Sequence, residues 1–260
     1  MSALGGVQSL GARSIAFVRD LGRFSVFSLR LGNAARRPPY RWRRLVREIY
    51  DTGVLSLVIV CISGLAVGMV LGLQGHNTLA RFGATGSLGA VVGLSLIREL
   101  GPVLTSLLVA GRAGSAMAAE IASMVVTEQL DGLRMMSVDP LDFVVAPKAQ
   151  AMLISMPLLS TLFVLFGIFG GYVVGVVVLG GDPGSYMSTL TDAVVFRDDV
   201  LGGFLKAGVF GLLVGLVATY RGYTALPTST GVSAAATSTV VIASVATLIV
   251  DYFITALWGY

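Results

Sequence analysis

The chain has 260 residues, of which 55% are hydrophobic and 12% are charged, and its formal net charge is +4. Together with a mean hydropathy of +0.85, this composition is typical of an integral membrane protein and excludes a soluble domain with a large core. One cysteine (Cys61), one histidine (His76) and no GxxxxGK[ST] motif exclude an intrachain disulfide, a zinc site built on several histidines or cysteines, and a P-loop.

Residues 1–47 form a strongly basic segment ahead of the first apolar run. They contain ten arginines and a single acidic residue, Asp20, with apolar residues at roughly helical spacing between the charges. The pattern predicts an amphipathic helix over residues 1–35 that lies in the membrane interface with its arginines towards anionic head groups. A cleaved signal peptide is the alternative, but the basic residues extend too far for one. Nucleic-acid binding is not expected so close to a membrane span.

Five apolar segments are long enough to span a bilayer. They cover roughly residues 52–73, 88–111, 150–179, 201–220 and 238–258. Arginine and lysine are enriched on one side of these segments, and aspartates between residues 182 and 199 lie on the other. The positive-inside rule therefore predicts a cytoplasmic N-terminus and a C-terminus on the outer side of the membrane. A six-span alternative would split residues 84–126 into a hairpin and invert the rest of the chain.

Glycines recur every fourth residue in three of the spans: Gly64, Gly68 and Gly72; Gly167, Gly171 and Gly175; and Gly211 and Gly215. Small residues at this spacing allow membrane helices to approach closely. The spacing predicts tight packing within the chain or, for at least one stripe, a homodimer interface.

Charged residues interrupt the apolar run over residues 88–126, namely Arg98, Glu99, Arg112 and Glu120. A charge at the bilayer centre costs about 3 kcal/mol on insertion scales, so such residues usually face a bundle interior or a polar path. The adjacent Arg98 and Glu99 are therefore a candidate functional pair. The alternative is a static ion pair inside a helix bundle.

In a helix over residues 88–111, Glu99 would lie about 16 Å from either end, close to the bilayer midplane. Pro102 is expected to kink this helix beside the charged pair. Gln74 and His76 follow the first predicted span and are expected to form a loop near the outer surface.

Residues 119–137 are too polar to span a membrane and too regular for a loop. Glu128, Asp131 and Arg134 fall on one helical face and apolar residues on another, and the Asp139–Pro140 dipeptide ends the pattern. The segment is predicted to be a cytoplasmic amphipathic helix that either lies at the interface or docks into a groove of a partner.

The same region carries a long and specific motif, RELGPV…AGRAGSA…AEI…TEQ…M…VDP, preceded by GMVLGLQG and followed by GYTALPTSTGVSAAATSTVV. From about residue 48 to the C-terminus the chain closely resembles the permease subunits of the Mla-type, MCE-linked ABC phospholipid transporters (the MlaE/YrbE-like family). The resemblance implies an all-α integral membrane fold with five transmembrane helices, an N-terminal interfacial helix and a cytoplasmic coupling helix. Residues 48–260 would be the permease domain, and residues 1–47 the interfacial helix and linker.

The resemblance also implies a function. The chain would be a non-catalytic permease of the bacterial inner membrane that moves glycerophospholipids between that membrane and a periplasmic MCE-domain protein, maintaining outer-membrane lipid asymmetry. Its implied partners are a second copy of itself, a cytoplasmic ABC ATPase, a STAS-domain regulator and a hexameric MCE-domain protein. ATP and Mg²⁺ would be bound by the ATPase, with no cofactor or metal on this chain.

Individual residues receive roles from the same resemblance. Contact with lipid is implied for residues of the intramembrane pair and of the cavity mouth: Arg98, Glu99, Leu71, Gln74, Leu79 and Phe82. Contact with the ATPase is implied for a segment over about residues 112–148, and within it for Glu120, Glu128, Asp131 and Arg134.

Two other functions fit parts of the pattern. A proton-coupled secondary lipid carrier could use Glu99 and Asp251 as a relay and would need no ATPase, but the internal repeats common in such carriers are not apparent. A lipid-modifying enzyme would need a nucleophile or an acid–base pair, and the one histidine lies outside the predicted spans.

Overall fold

The computed structural model describes residues 3–35 and 42–258, and within them every regular element is helical. The predicted linker around residues 36–41 lies outside the described residues. The α-helices are α1 (Ala3–Ala35), α2 (Trp42–Thr52), α3 (Leu57–Arg81), α4 (Leu88–Ser95), α5 (Gly101–Val109), α6 (Ser115–Val126), α7 (Gln129–Met135), α8 (Ala146–Tyr172), α9 (Pro183–Ala193), α10 (Leu201–Tyr223) and α11 (Ser229–Trp258).

Five stretches of helix are long and apolar enough to cross a membrane. In chain order, the first to fifth spans are Trp42–Arg81, Thr85–Val126, Leu141–Val178, Phe196–Tyr223 and Ser229–Leu257. The predicted all-α fold with five spans is therefore confirmed, and each predicted segment overlaps one observed span. The six-span alternative is wrong, because the second span is one unbroken stretch of helix and not a hairpin.

The second span contains two π-helical turns. π-Helical turns at Leu96–Leu100 and Ala110–Gly114 separate α4 from α5 and α5 from α6. The first π-turn ends two residues before Pro102, whose missing N–H removes one bond from the α-helical ladder. The irregularity expected beside Pro102 thus takes the form of a wider turn, and this turn contains both Arg98 and Glu99.

The predicted helix over residues 119–137 is wrong as a single element. The second span continues to Val126, and the seven-residue helix α7 follows it as a separate piece. Between them Glu128 has a φ of 57°, in the left-handed region where an α-helix cannot continue. Ser137, just beyond α7, also has a φ of 57°. Helix α7 is therefore a short element set between two sharp turns of the chain.

The first span also extends further than predicted. Gln74 and His76, expected in a loop, lie inside α3, which ends at Arg81. The hydroxyl of Thr78 donates to the Gln74 carbonyl at 2.9 Å, so polar side chains here bond to their own helix. A hydropathy window ends where apolar residues stop, whereas the hydrogen-bond ladder of the helix continues.

Glycine stripes bring the first, third and fourth spans into close contact. A Cβ on Gly68 would overlap the backbone of Gly167, and Gly72 meets Gly171 in the same way. Gly211 of the fourth span lies equally close to the third span. All three stripes face neighbours within the chain, so the alternative that one of them forms a homodimer interface is wrong.

Helix α1 packs on the end of the bundle that carries α7. Its buried Phe27 and Leu31 form one apolar cluster with Leu130 of α7, Val145 of the third span and Tyr220 of the fourth. The helix is therefore attached to the bundle along one stripe, near its C-terminal end.

Replacing Gly68 with alanine should destabilise the protein. The added methyl group would collide with the Gly167 backbone, which cannot move without separating the first and third spans, and overpacking of this kind costs about 1–3 kcal/mol. We expect Gly68→Ala to unfold at lower SDS concentration in mixed micelles than the wild type. Gly111→Ala is the matched control, because a Cβ there meets nothing within 4 Å. Equal stability of the two variants would contradict this packing.

Candidate functional site

A buried lysine of the fourth span brings together acidic and hydroxyl groups of two other spans. The side chain of Lys206 is only 3% exposed, and its Nζ lies 2.6 Å from Oε2 of Glu99 in the second span. The same Nζ lies 2.6 Å from Oδ1 of Asp251 in the fifth span and donates to Oγ1 of Thr255 at 2.9 Å. The Thr255 hydroxyl donates to Oε1 of Glu99 at 2.9 Å. One ammonium group thereby joins the second, fourth and fifth spans.

Arg98 has a partner of its own at the start of the fourth span. Its Nε donates to Oδ1 of Asp199 at 2.7 Å, and the Asp199 side chain is fully buried. The other carboxylate oxygen of Asp199 accepts the backbone N–H of Val195 at 2.7 Å. The Arg98–Asp199 contact and the contacts of Lys206 are joined, because Lys206 also donates to the Arg98 carbonyl at 3.3 Å. We call the whole set the charged cluster: Arg98, Glu99, Asp199, Lys206, Asp251 and Thr255.

The prediction that Arg98 and Glu99 act as a pair is wrong, because each side chain pairs with a different residue. Neighbouring residues on a helix point about 100° apart, so the two side chains reach different partners on the fourth span. Lys206 was not predicted as a site residue, although a lone lysine in an apolar segment is the same signal as Glu99. Asp199 was predicted to lie in the acidic outer loop, whereas it is buried and in contact with Arg98.

The charged cluster has a buried side and an accessible side. Asp199 and Lys206 are almost completely buried, whereas the side chains of Arg98 and Glu99 are 32% and 37% exposed. Its two cations face three carboxylates. Guanidinium groups such as that of the partly exposed Arg98 form paired hydrogen bonds to phosphate. The arrangement is suited to binding a polar group within an otherwise apolar bundle.

The other residues predicted to contact lipid lie at the end of the first span. Leu71 and Leu79 pack partly buried against the core, whereas Gln74 is exposed and the Phe82 side chain is 79% exposed. Within residues 42–258, the structure shows no hydrogen bond or ion pair between these residues and the charged cluster. Their role at a cavity mouth stays a prediction.

A second buried lysine lies nearer the end of the bundle where α1 and α7 pack. Nζ of Lys148 lies 2.8 Å from Oε2 of Glu48 and 2.7 Å from Oε2 of Glu120, and the lysine side chain is 4% exposed. These pairs join the first, second and third spans. Glu120, predicted to contact an ATPase, thus has a partner inside its own chain.

Helix α7 is held to the fourth span by a guanidinium group. Nη1 of Arg134 pairs with Asp131 at 2.6 Å, and Nη2 donates to the hydroxyl of Tyr223 at 2.6 Å. Glu128 is exposed at the corner just before α7. Three of the four residues predicted to contact an ATPase therefore lie on or beside one short helix, but the structure does not test that contact.

Comparison with known proteins identifies the family. A family model described as "Permease MlaE" matches residues 45–257. The chain belongs to the MlaE permease family. This confirms the resemblance drawn from the central motif.

The permease is similar to proteins from several organisms. It is 49% identical over 253 residues to the intermembrane phospholipid transport system permease protein MlaE of Haemophilus influenzae, with 96% of each chain covered. It is 42% identical over 250 residues to a probable ABC transporter permease protein of Rickettsia felis, again with 96% of each covered. A third relative, the Arabidopsis thaliana protein TRIGALACTOSYLDIACYLGLYCEROL 1, chloroplastic, is 32% identical over 216 residues, which are 83% of the permease and 61% of the plant protein.

These relatives do not favour the proton-carrier alternative. That alternative uses Glu99 and Asp251 as a relay, and the structure does place both carboxylates on the same lysine, Lys206. The bacterial relatives, however, are named as permeases of ABC or intermembrane phospholipid transport systems.

Exchanging the charges of Arg98 and Glu99 should fail to restore the permease. Arg98→Glu would put a carboxylate against buried Asp199, and Glu99→Arg would put a guanidinium against Lys206. Removing one partner of a buried pair already costs roughly 3–5 kcal/mol, so the double variant should be less stable than either single variant. Thermal unfolding in detergent measures this, with Glu99→Gln as a milder reference that keeps an acceptor for Lys206. Recovery in the double variant would mean that the two residues pair with each other.

Proposed function

We propose that this chain is the membrane subunit of an ABC transporter that moves glycerophospholipids between the bacterial inner membrane and a periplasmic MCE-domain protein, and so maintains outer-membrane lipid asymmetry. The observation that carries the proposal is 49% identity, along almost the whole chain, to a permease named for intermembrane phospholipid transport. ATP and Mg²⁺ are bound by a separate ATPase subunit, and the permease itself carries no cofactor.

The charged cluster is proposed to receive the lipid head group. Arg98 offers a guanidinium to the phosphate, and Glu99 offers a carboxylate to an amine or hydroxyl of the head group. The acyl chains would extend towards the end of the first span, where Leu71, Leu79 and Phe82 supply apolar surface and Gln74 a polar contact. The sites of phosphate and acyl chains are thus separated along the bundle.

A second copy of the permease is proposed to cover the fifth span. Only 11% of the most apolar stretch of this span is buried within the chain, the smallest share among the five spans. Val241, Val245 and Leu248 of this span are exposed. The same span carries Asp251 of the charged cluster. Charged groups facing lipid are costly, so a dimer that closes over this face would turn the accessible side of the cluster into an interior cavity.

The ends of the bundle are proposed to face different partners. Under the positive-inside rule the end with α1, α7 and Lys148 is cytoplasmic, which makes the C-terminus periplasmic. Helix α1 would lie in the interface, and the ATPase would dock on α7, with a STAS-domain regulator bound on that side. The hexameric MCE-domain protein would sit on the opposite end, next to Phe82 and α9.

Lipid transfer driven by ATP tests the proposed function. Proteoliposomes containing the permease, its ATPase and the MCE-domain protein should exchange a fluorescent phospholipid with a lipid acceptor when ATP is supplied, and a protonophore should have no effect. An ATPase variant that binds but does not hydrolyse ATP is the control. Transfer that follows an imposed pH gradient in the absence of the ATPase would instead identify a proton-coupled carrier.

Reversing one charge beside α7 tests the proposed coupling contact. Glu128→Lys changes an exposed residue that has no part in the Arg134–Tyr223 contact, so the permease should insert and dimerise normally. Association with the ATPase should weaken about tenfold, because an electrostatic contact at the interface is reversed. Co-purification of the ATPase measures the effect, and Asp192→Lys, an exposed aspartate on α9, is the control. Unchanged association would move the contact elsewhere, first to the loop between Arg221 and Gly231.

A further inference from the structure

A cavity of about 740 Å³ lies between α1 and the end of the fourth span. This volume is within the range of small-molecule sites. Its walls include Asp20, Arg23 and Arg30 of α1, and Tyr220 and Arg221 of the fourth span. None of these residues belongs to the charged cluster or to the Lys148 ion pairs, so the cavity is a separate feature of the molecule.

The walls of this cavity carry an excess of positive charge. Three arginines face one carboxylate, that of Asp20. Arg221 is partly engaged, since its Nε donates to the Ser238 hydroxyl at 2.8 Å. Arg23 and Arg30, by contrast, make no ion pair or hydrogen bond with any side chain that the structure describes. Two guanidinium groups at one cavity are therefore available to an anion.

The remaining wall of the cavity is apolar and aromatic. Val26, Phe27 and Leu141 line it, and the Phe27 ring lies 5.4 Å from the ring of Tyr220 and 5.6 Å from that of Tyr223. A small hydrophilic anion would leave this wall unused. A molecule with an anionic head and an apolar body would use both parts.

We propose that the cavity binds an anionic glycerophospholipid of the adjacent leaflet, with its phosphate between Arg23, Arg30 and Arg221. Guanidinium groups bind phosphate oxygens through two parallel hydrogen bonds, and the excess positive charge favours a lipid with a net negative charge over a zwitterionic one. This lipid is a bound ligand at the junction of α1 with the bundle. The inference does not depend on the transport function proposed for the charged cluster.

A lipid bound in the cavity would affect how α7 is attached to the bundle. Tyr223 lines the cavity and accepts the hydrogen bond from Arg134 of α7, so a lipid here touches the residue that holds α7 in place. Phe27, another wall residue, belongs to the apolar cluster that contains Leu130 of α7. A bound lipid therefore stabilises the attachment of both α1 and α7 to the bundle.

Photocrosslinking in the purified full-length permease tests this site. The probe is photoactivatable phosphatidylglycerol in detergent micelles, and mass spectrometry identifies the labelled peptides. In the wild type we expect label on residues 20–30 and 220–224. In Arg23→Gln/Arg30→Gln this label should fall about tenfold, since two charge-assisted contacts are lost. The control is Arg19→Gln/Arg47→Gln, which removes the same charge from exposed positions and should keep its label.

A second variant blocks the cavity without changing any charge. Gly22 lines the cavity, and a Cβ on it meets nothing within 4 Å, so Gly22→Leu should place its side chain in the cavity and should lower the same label about tenfold. Gly32→Leu is its matched control, because Gly32 on the same helix also has open space around it and does not line the cavity.

Competition distinguishes the possible ligands. Unlabelled phosphatidylglycerol should displace the probe at least tenfold more effectively than phosphatidylcholine, and inorganic phosphate should compete only weakly. Equal displacement by inorganic phosphate would make the cavity a free-phosphate site and overturn the lipid assignment. Equal loss of label in the Arg23/Arg30 and Arg19/Arg47 variants would show attraction to the basic surface alone. Retained label in Gly22→Leu would place the lipid outside the cavity.

Discussion

The contact between Lys206 and two carboxylates of other spans is the constraint on which the arrangement of the bundle depends. A lysine that is 3% exposed in an apolar bundle requires acidic partners, and Glu99 and Asp251 both lie 2.6 Å from its Nζ. Because these partners come from the second and fifth spans, satisfying one ammonium group fixes the depth of three helices relative to one another. Thr255 bridges the lysine and Glu99 and completes the set.

The two sides of the bundle are held by different forces. The first and third spans meet through backbone contacts at glycines such as Gly68 and Gly167. No other group fits between the two helices at these contacts. The second, fourth and fifth spans meet through polar contacts whose members Arg98 and Glu99 are partly exposed. Under the proposed function, a lipid head group would exchange with these polar contacts because it offers the same chemistry, whereas no ligand group could replace the backbone contacts at the glycines. Under the proposed function the glycine side is the fixed frame and the polar side is where the substrate acts.

Hydropathy and charge predicted the class, the five spans and the position of Arg98 and Glu99 within the second span, because each of these follows from local composition. The partners could not be predicted, since Lys206 is 107 positions from Glu99 and pairing depends on which spans are neighbours. The predicted ends of the helices were wrong for a different reason. Gln74 is polar but helical, because a helix ends where its hydrogen bonds end and not where its apolar residues end. The break at Glu128 is a backbone feature that no side-chain pattern records.

The second span connects the proposed coupling contact to the proposed substrate site. Near the end that carries α7 it is fixed through Glu120 to Lys148, and further along it carries Glu99 in the π-turn over Leu96–Leu100. A force applied to α7 would reach the fourth span through Tyr223 and the second span through the chain itself. A helix transmits such a displacement along its axis except where its ladder is irregular, and π-turns are such places. Since Arg98 and Glu99 lie in one, a change of winding there would turn both side chains away from their partners on the fourth span.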